Sequence, residues 1–185
     1  MAGILSVSQI QGLASSATPT TVEIASGHKI SGAAGSIVAP GQVIQVVQKV
    51  LSTRATVASN TYADVGVSQA ITPSSASSKI LVRCEGCLGN AAAGNNSSLK
   101  LFRGSTEIGS GTGGDTYNTF VTIFATQTYD VKGFSQSFLD SPNTASAVTY
   151  TIKVAAFNST AALGGRGDST SVQTPTTLTL MEIAQ

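Results

Sequence analysis

The sequence predicts an all-β protein, in which a C-terminal antiparallel β-sandwich of the jelly-roll type follows a thin N-terminal anchor and shaft. Apolar and β-branched runs of strand length recur from Gly41 to the end of the chain. Clusters of Gly, Pro, Asn and Ser separate these runs about every 8–12 residues, a spacing typical of a sandwich. No convincing helical period interrupts them.

The composition favours a neutral, polar surface. A length of 185 residues allows one domain plus an extension rather than two independent cores. Only 10% of residues are charged, against about 25% in typical globular proteins, so Ser, Thr, Asn, Gln and Gly must cover the surface. The net charge of +1 and scattered cations argue against nucleic acid and anionic membranes. No membrane insertion and no secretory signal are predicted, so synthesis in the cytoplasm is expected.

Residues 1–17 are predicted to form an anchor. Four apolar residues recur there at a spacing of three: Ile4, Val7, Ile10 and Leu13. A short amphipathic helix would place them near one face, and an extended tail could insert them into the grooves of a partner. Because a helix this short is marginal in water, either structure requires a neighbour. The alternative is a frayed terminus.

Residues 18–40 are predicted to form a thin shaft. Isolated β-branched residues such as Val22, Ile24 and Ile30 return between Gly and Ser residues. Strand fragments of this length cannot bury a face within one chain, whereas several copies wrapped around a common axis could. The pattern therefore favours a homotrimeric shaft over the alternative, a flexible Gly/Ser linker.

The Pro40-Gly41 pair separates the shaft from the head, residues 41–185. Strands are predicted at residues 43–54, 64–71, 78–88, 97–103, 106–109, 117–127, 130–139, 147–157 and 175–183. The alternation of apolar residues is clearest in the last two of these strands. Their apolar faces should supply one core.

Antiparallel succession places consecutive loops at alternate ends of the sandwich. If the first strand begins at the shaft, the loop near 158–172 lies beside the shaft. The loops expected at the far end are those near 55–63, 89–96, 110–116 and 140–146. If residues 105–109 form only a bulge, every later loop changes ends.

Three stretches carry a resemblance to a known family: Ile24-Ala25-Ser26-Gly27-His28-Lys29-Ile30, then Gly35-Ser36-Ile37-Val38-Ala39-Pro40-Gly41-Gln42-Val43-Ile44-Gln45-Val46-Val47-Gln48, and Thr177-Leu178-Thr179-Leu180-Met181-Glu182-Ile183. With these patterns the chain resembles bacteriophage fibre and spike proteins, especially those of marine and cyanobacterial phages. The resemblance covers roughly the whole length, through loose patterns rather than catalytic signatures. It provides no motif whose residues could be transferred as a binding site.

The resemblance implies a homotrimer carried on the virion, after synthesis in the cytoplasm of a bacterial host. Its N-terminus would attach to a capsid or tail protein. Its head would be a jelly roll similar in type to those of complement C1q or tumour necrosis factor. A fibre or spike of this kind would take part in host attachment.

Cys84 and Cys87 have the CxxC spacing of redox pairs and of half a zinc site. Zinc needs four ligands, and the single histidine, His28, lies far away in the shaft. Residues three positions apart in a regular strand point to opposite faces. Two buried structural cysteines are therefore expected, unless a bulge at Gly86 brings the sulfurs together.

No metal and no cofactor are predicted. Three copies of His28 around a trimer axis could hold a metal or an anion, although a solvated turn histidine is the simpler interpretation. The tripeptide Arg166-Gly167-Asp168 matches an integrin motif in a Gly-rich loop. An ordinary loop with a local ion pair explains it equally well, and a phage with a bacterial host would not meet integrins.

Catalysis is not predicted, so the protein is not expected to be an enzyme. The nine carboxylates are dispersed, and there is no second histidine or nucleophile motif. A depolymerising spike would require folding to gather distant carboxylates.

Binding is expected at loops near the tip, and four residues are predicted to contact a receptor: Asn95, Asn96, Asp115 and Tyr117. Amides, a carboxylate and an aromatic ring are groups that bind sugar hydroxyls and sugar faces. The leading hypothesis is thus a structural virion trimer. The alternative is a carbohydrate-binding adhesion module that recognises host surface glycan, and ordinary hairpin loops remain a further interpretation.

Overall fold

The computed structural model describes residues 26–27, 30, 37–113 and 118–185. The chain divides into two compact units, Met1–Ile37 and Val38–Gln185, and the division falls three residues before the predicted boundary at Pro40-Gly41. The described part of the second unit consists of β-strands, turns and loops, which confirms the predicted all-β class. Within the described ranges, no helix is long and apolar enough to cross a membrane.

Eleven strands form two antiparallel sheets in the described part of the second unit. The strands are β1 Val43–Leu51, β2 Ala55–Val57, β3 Ala63–Ile71, β4 Lys79–Asn90, β5 Asn95–Arg103, β6 Thr106–Ile108, β7 Val121–Ala125, β8 Val131–Asp140, β9 Val148–Ala156, β10 Ala161–Leu163 and β11 Thr176–Ile183. Sheet 1 has the order β1-β11-β4-β10-β2, with β8 on the other side of β4. Sheet 2 has the order β3-β9-β5-β6, with β7 also paired to β5.

Three pairs of these strands, β1 with β2, β6 with β7 and β10 with β11, each form one strand with an interruption. Along β4, β11 pairs with residues 79–85 and β10 with residues 88–90. Along β5, β6 pairs with residues 101–103 and β7 with residues 95–99. Similarly, β1 pairs with β11 and β2 pairs with β10, so β1 and β2 lie in line along the edge of sheet 1. Counting each pair once gives eight strands in the orders 1-8-3-6 and 2-7-4-5, which is the strand order of a jelly roll.

The core lies between the two sheets and follows the alternation of the strands. In β9 the inward residues Tyr150, Ile152 and Val154 are buried, and in β11 Leu178 and Leu180 are buried, as the sequence predicts. They form one apolar cluster with inward residues of the other strands. Each large side chain contributes about 1.5–3 kcal/mol by leaving water, so one core suffices for one domain.

Two short strands, β2 and β10, are not predicted as separate strands by the sequence. The predicted strand 43–54 ends at Leu51, and β2 resumes its path after a break. In β10 the residues Ala161–Leu163 are too few and too poor in β-branched side chains to give a local signal. They pair because β4 extends beyond the end of β11 and presents residues 88–90.

The positions of the later loops differ from the prediction, because β6 and β7 both run antiparallel to β5 and therefore in the same direction, as one interrupted strand. The base of the sandwich is the end where the chain enters, since Gly41 donates to the carbonyl of Ala184 at 2.8 Å. The far end carries the loops 58–62, 91–94, 126–130 and 157–160, and the base carries 72–78, 104–105 and 141–147. The predictions for 140–146 and for the loop that starts at 158 are therefore wrong. The predictions for 55–63 and 89–96 are confirmed.

Candidate functional site

Of the four residues predicted to bind a receptor, the structure describes two. Asn95 and Asn96 begin β5 at the far end, as expected. The Asn95 side-chain amide donates to the carbonyl of Ala93 at 3.1 Å and is therefore part of the loop that it belongs to. Asp115 and Tyr117 lie outside the described residues, and so do His28 and the four anchor residues, Ile4, Val7, Ile10 and Leu13.

The sequence predicts that the loop containing Asp115 lies at the far end of the sandwich, and the structure shows that the flanks of this loop lie elsewhere. Its flanks join β6 and β7 halfway along β5, where Leu101 pairs with Ile108 and Leu99 with Val121. Asn118 closes the neck of this loop by accepting from the Gly113 N–H at 3.1 Å and donating to the Gly113 carbonyl at 2.9 Å. Four residues of β5, about 13 Å, separate this neck from Asn95.

Both cysteines are free and buried, and they point to opposite faces of β4 as predicted. Cys84 lies in the core, while the Cys87 sulfur contacts the Thr174 hydroxyl at 2.7 Å beneath the segment 164–175. The register of β4 with β8 runs through Gly86 without a shift, so no bulge brings the sulfurs together. Burial, with a smaller effect of the Glu85 carboxylate, raises the pKa of Cys84 to about 12. At neutral pH this thiol is therefore protonated and a poor nucleophile or metal ligand.

The tripeptide Arg166-Gly167-Asp168 is held within its own segment. The Arg166 guanidinium donates to both carboxylate oxygens of Asp168, at 2.9 and 2.7 Å. Arg54 donates to the carbonyls of Arg166 and Ser169. A Cβ atom at Gly167 would lie 2.2 Å from the nitrogen of Ala91, so close packing on the chain requires glycine at this position. These contacts confirm the interpretation as a loop with a local ion pair.

Each carboxylate of the described residues has a structural partner. Glu85, Glu107, Asp140 and Asp168 form ion pairs with Arg83, Lys100, Arg103 and Arg166 respectively. Asp64, Asp130 and Glu182 accept hydrogen bonds from loop backbone or hydroxyl groups. Among the described residues, no group of three His, Cys, Asp or Glu side chains could hold a metal ion.

The outer face of sheet 1 carries four apolar side chains in one cross-strand line, which we call the apolar row: Val46, Met181, Leu81 and Leu139. Val46 pairs with Met181, Met181 with Leu81, and Leu81 with Leu139, so the row crosses β1, β11, β4 and β8. Val46 is 56% exposed and Leu139 is 49% exposed. The neighbouring line is polar and consists of Gln48, Thr179, Arg83 and Ser137.

The apolar row follows from the composition of β1. Its residues Val47 and Leu51 pack against the core, and alternation then directs Val46 and Val50 to the outside. Apolar residues on both faces are typical of strands that are covered on both sides. The sequence contains this signal, but only the register with β11, β4 and β8 turns isolated residues into a line.

No protein-family model matches this sequence, and no curated protein is similar to it. The fold and its exposed surfaces are therefore the basis for a functional assignment.

Proposed function

We propose that this protein is a structural subunit of a bacteriophage virion, a homotrimeric fibre or spike that takes part in host attachment. The apolar row on sheet 1 supports the assembly of several copies. The resemblance of the sequence to phage fibre and spike proteins supports the number of copies and the virion setting. The proposal includes attachment of residues 1–17 to a capsid or tail protein and no catalytic role.

The apolar row is the observation that carries the proposal. It spans three gaps between neighbouring strands, about 14 Å, across the whole width of a four-stranded face. Burying the exposed half of a Val or Leu side chain contributes roughly 1 kcal/mol. Several such side chains in line therefore favour a covered face over a solvated one.

A second copy of the same chain fits this face better than a charged partner. The nearest charges on the face are Arg83, which forms an ion pair with Glu85 at 2.7 Å, and Lys79, which flanks the row on its other side and pairs in register with Ile183. The row itself is thus apolar, and Lys79 is the single charge beside it that forms no ion pair with a described residue. Closed symmetric assemblies of identical chains are the commonest oligomers of soluble proteins.

The test is the mass of the native protein divided by the mass of the denatured chain. We expect a ratio of three at micromolar concentration. Leu139→Glu should shift the protein toward monomer, because each interface would then bury an unpaired carboxylate. Thr149→Glu, an exposed position on sheet 2, is the matched control and should remain trimeric. A monomeric parent protein would contradict the assembly.

The virion setting has its own test. An antibody against residues 41–185 should decorate projections on purified phage particles in electron micrographs. Particles that contain none of this chain by mass spectrometry would overturn the setting, whatever the oligomeric state.

A further inference from the structure

A cavity of about 220 Å³ lies at the far end of the sandwich, between the loops 58–62 and 157–160. Asn60 and Asn158 are exposed and form its rim, whereas Ala156 is buried and forms its floor. The cavity is therefore open to solvent and polar along its walls. Its full lining consists of two carboxamide residues, two hydroxyl residues and two alanines: Asn60, Asn158, Ser59, Ser159, Ala58 and Ala156.

Hydrogen bonds fix the two loops that form the walls. The Ala156 N–H donates to the Ser59 carbonyl at 2.8 Å, and the Thr61 N–H donates to the Ser59 hydroxyl oxygen at 3.0 Å. Asn158 has a positive φ of 58°, in the left-handed region that Asn adopts more readily than most residues. Because the walls are formed before a ligand arrives, binding does not have to order these loops.

The protein itself leaves most polar side chains of the cavity without a partner. Within the described part of the chain, the side chains of Asn60, Asn158 and Ser159 form no hydrogen bond to another residue. The carboxamides of Asn90 and Asn95, also at the far end, donate to Ser97 and Ala93 respectively. Each free carboxamide offers two donors and an acceptor to a ligand.

The lining fits a neutral ligand with several hydroxyl groups. No charged side chain of the described residues lines the cavity, so an ionic ligand would lose hydration without gaining a counter-charge. The volume of about 220 Å³ lies below the roughly 300–1,000 Å³ of sites for drug-sized ligands, so one sugar ring fits better than two. Carboxamides and hydroxyls bind sugar hydroxyls as both donors and acceptors. The methyl groups of Ala58 and Ala156 supply apolar surface for the face of the ring.

We propose that this cavity binds the terminal ring of a neutral glycan, with sugar hydroxyls hydrogen-bonded to Asn60, Asn158 and Ser159. The rest of the glycan extends into solvent past the exposed rim. The inference names the ligand class for the attachment role in the proposed function, and it rests on that function for the surface that carries the glycan. Binding itself requires only the far end of one head.

The experiment uses the full chain on a printed array of glycans that end in glucose, galactose, mannose or rhamnose, beside glycans that end in an acidic sugar. We expect binding to a neutral terminal sugar, and binding to its methyl glycoside, a single ring, in titrations. Asn158→Gly should weaken this affinity about tenfold, because glycine keeps the left-handed backbone but removes the carboxamide. The matched control is Asn143→Gly, the same change at a second Asn with positive φ, in the loop 141–147 at the base. This control should bind like the parent protein.

Nuclear magnetic resonance provides a direct signal in isotope-labelled protein. The side-chain amide signal of Asn158, assigned by its loss in Asn158→Gly, should shift when the methyl glycoside binds, and that of Asn143 should not. The proposal is overturned if no neutral glycan binds, if only acidic glycans bind, if the single ring does not bind, or if Asn158→Gly binds as tightly as the parent. Native mass is measured on the same samples. A trimer without sugar binding contradicts the cavity site alone, and a sugar-binding monomer contradicts the assembly alone.

Discussion

Glu182 is a fully buried carboxylate whose described hydrogen-bond partners are all uncharged. Its oxygens accept from the Ser74 N–H and hydroxyl, both at 2.7 Å, and from the Gln45 amide at 3.0 Å. Burial raises the pKa of Glu182, but the hydrogen bonds from Ser74, Ser78 and Gln45 together lower it below its ordinary value. The ionised form therefore fastens the loop 72–78 to β11 at the base of the sandwich.

Replacing this carboxylate should weaken the fold and change its response to acid. Glu182→Gln is expected to lower the free energy of unfolding by about 1–3 kcal/mol at pH 7, because buried donors lose their charged acceptor. A depressed pKa contributes stability above the unfolded-state value of about 4.3, and this contribution is lost as pH falls through the folded-state pKa. Urea unfolding at pH 7 and at pH 3 should therefore show a larger acid loss for the parent than for the variant.

The control for this measurement is Glu85→Gln, which removes an exposed carboxylate from the outer face of sheet 1. Its effect at pH 7 should stay within about 0.5 kcal/mol. Equal acid losses in the parent and in Glu182→Gln would show that Glu182 is not the group responsible. The alternation of β11 in the sequence already directs Glu182 inward with Leu178 and Leu180, but the loop that supplies its donors is over 100 residues away.

At the scale of elements, the segment 164–175 is a lid of backbone on the far part of sheet 1. This segment connects β10 to β11 and covers Cys87 of β4. Glycines permit its close approach: a Cβ at Gly89 would lie 2.5 Å from the Gly165 carbonyl oxygen, and one at Gly167 would lie 2.2 Å from Ala91. Arg54, in the break between β1 and β2, fixes the segment through its carbonyls.

A methyl group at this contact should be costly. Gly167→Ala is expected to lower the free energy of unfolding by about 1–3 kcal/mol, because backbone atoms on both sides must move apart. Gly111→Ala is the matched control, since a Cβ there meets nothing within 4 Å, and it should change stability by less than about 0.5 kcal/mol. Urea unfolding of both variants provides the comparison, and equal stabilities would contradict the close packing of Gly167.

The elements that the sequence predicts are those with a local signal. Strands β9 and β11 alternate clearly and lie within a residue or so of their predicted positions. The short strands β2 and β10 exist because a long neighbour offers free backbone groups, and this information is not local. The sequence does not predict the lid either, because the Gly-rich run at 164–167 indicates a loop but not the surface on which that loop packs.

At the scale of the whole molecule, one buried cluster joins the two sheets near the base. Asp140 of sheet 1 accepts from Arg103 of sheet 2, with both oxygens at 2.9 Å, and from the Tyr150 hydroxyl at 2.7 Å. Tyr150 is fully buried, and burial together with the Asp140 carboxylate raises the pKa of its hydroxyl. The cluster provides a polar link between the sheets near the base, and Asn90 of β4 with Ser97 of β5, at 2.9 Å, provides another at the far end.

Two variants separate the parts of this link. Asp140→Ala should lower the free energy of unfolding by about 2–4 kcal/mol, because the buried Tyr150 hydroxyl loses its acceptor and the half-buried Arg103 guanidinium loses its ion pair. Tyr150→Phe should lower it by only about 1–1.5 kcal/mol, since the Arg103–Asp140 pair remains. Thermal or urea unfolding measures both values. If Asp140→Ala is the milder change, the carboxylate does not hold the sheets together.

The arrangement of strands and loops in the two sheets could be predicted only in part. A sandwich of jelly-roll type follows from spacing and alternation, but the end at which each later loop lies depends on whether β6 and β7 run in the same direction or in opposite directions. Residues 106–108 have the same strand-like composition in either case. Their pairing with β5, in line with β7, shows that β6 and β7 run in one direction, and this direction sets the end at which every later loop lies.

The apolar row occupies the outer face of sheet 1, and the outer face of sheet 2 points in the opposite direction. In the proposed trimer, copies that meet through sheet 1 turn sheet 2 outward, so three identical faces surround one axis. A host contact on each of these faces need only be weak, because a second bound site on the same particle raises the overall strength by about 10²–10⁴ when the geometry permits both. Weak single contacts would let such a particle move over a cell surface without detaching from it.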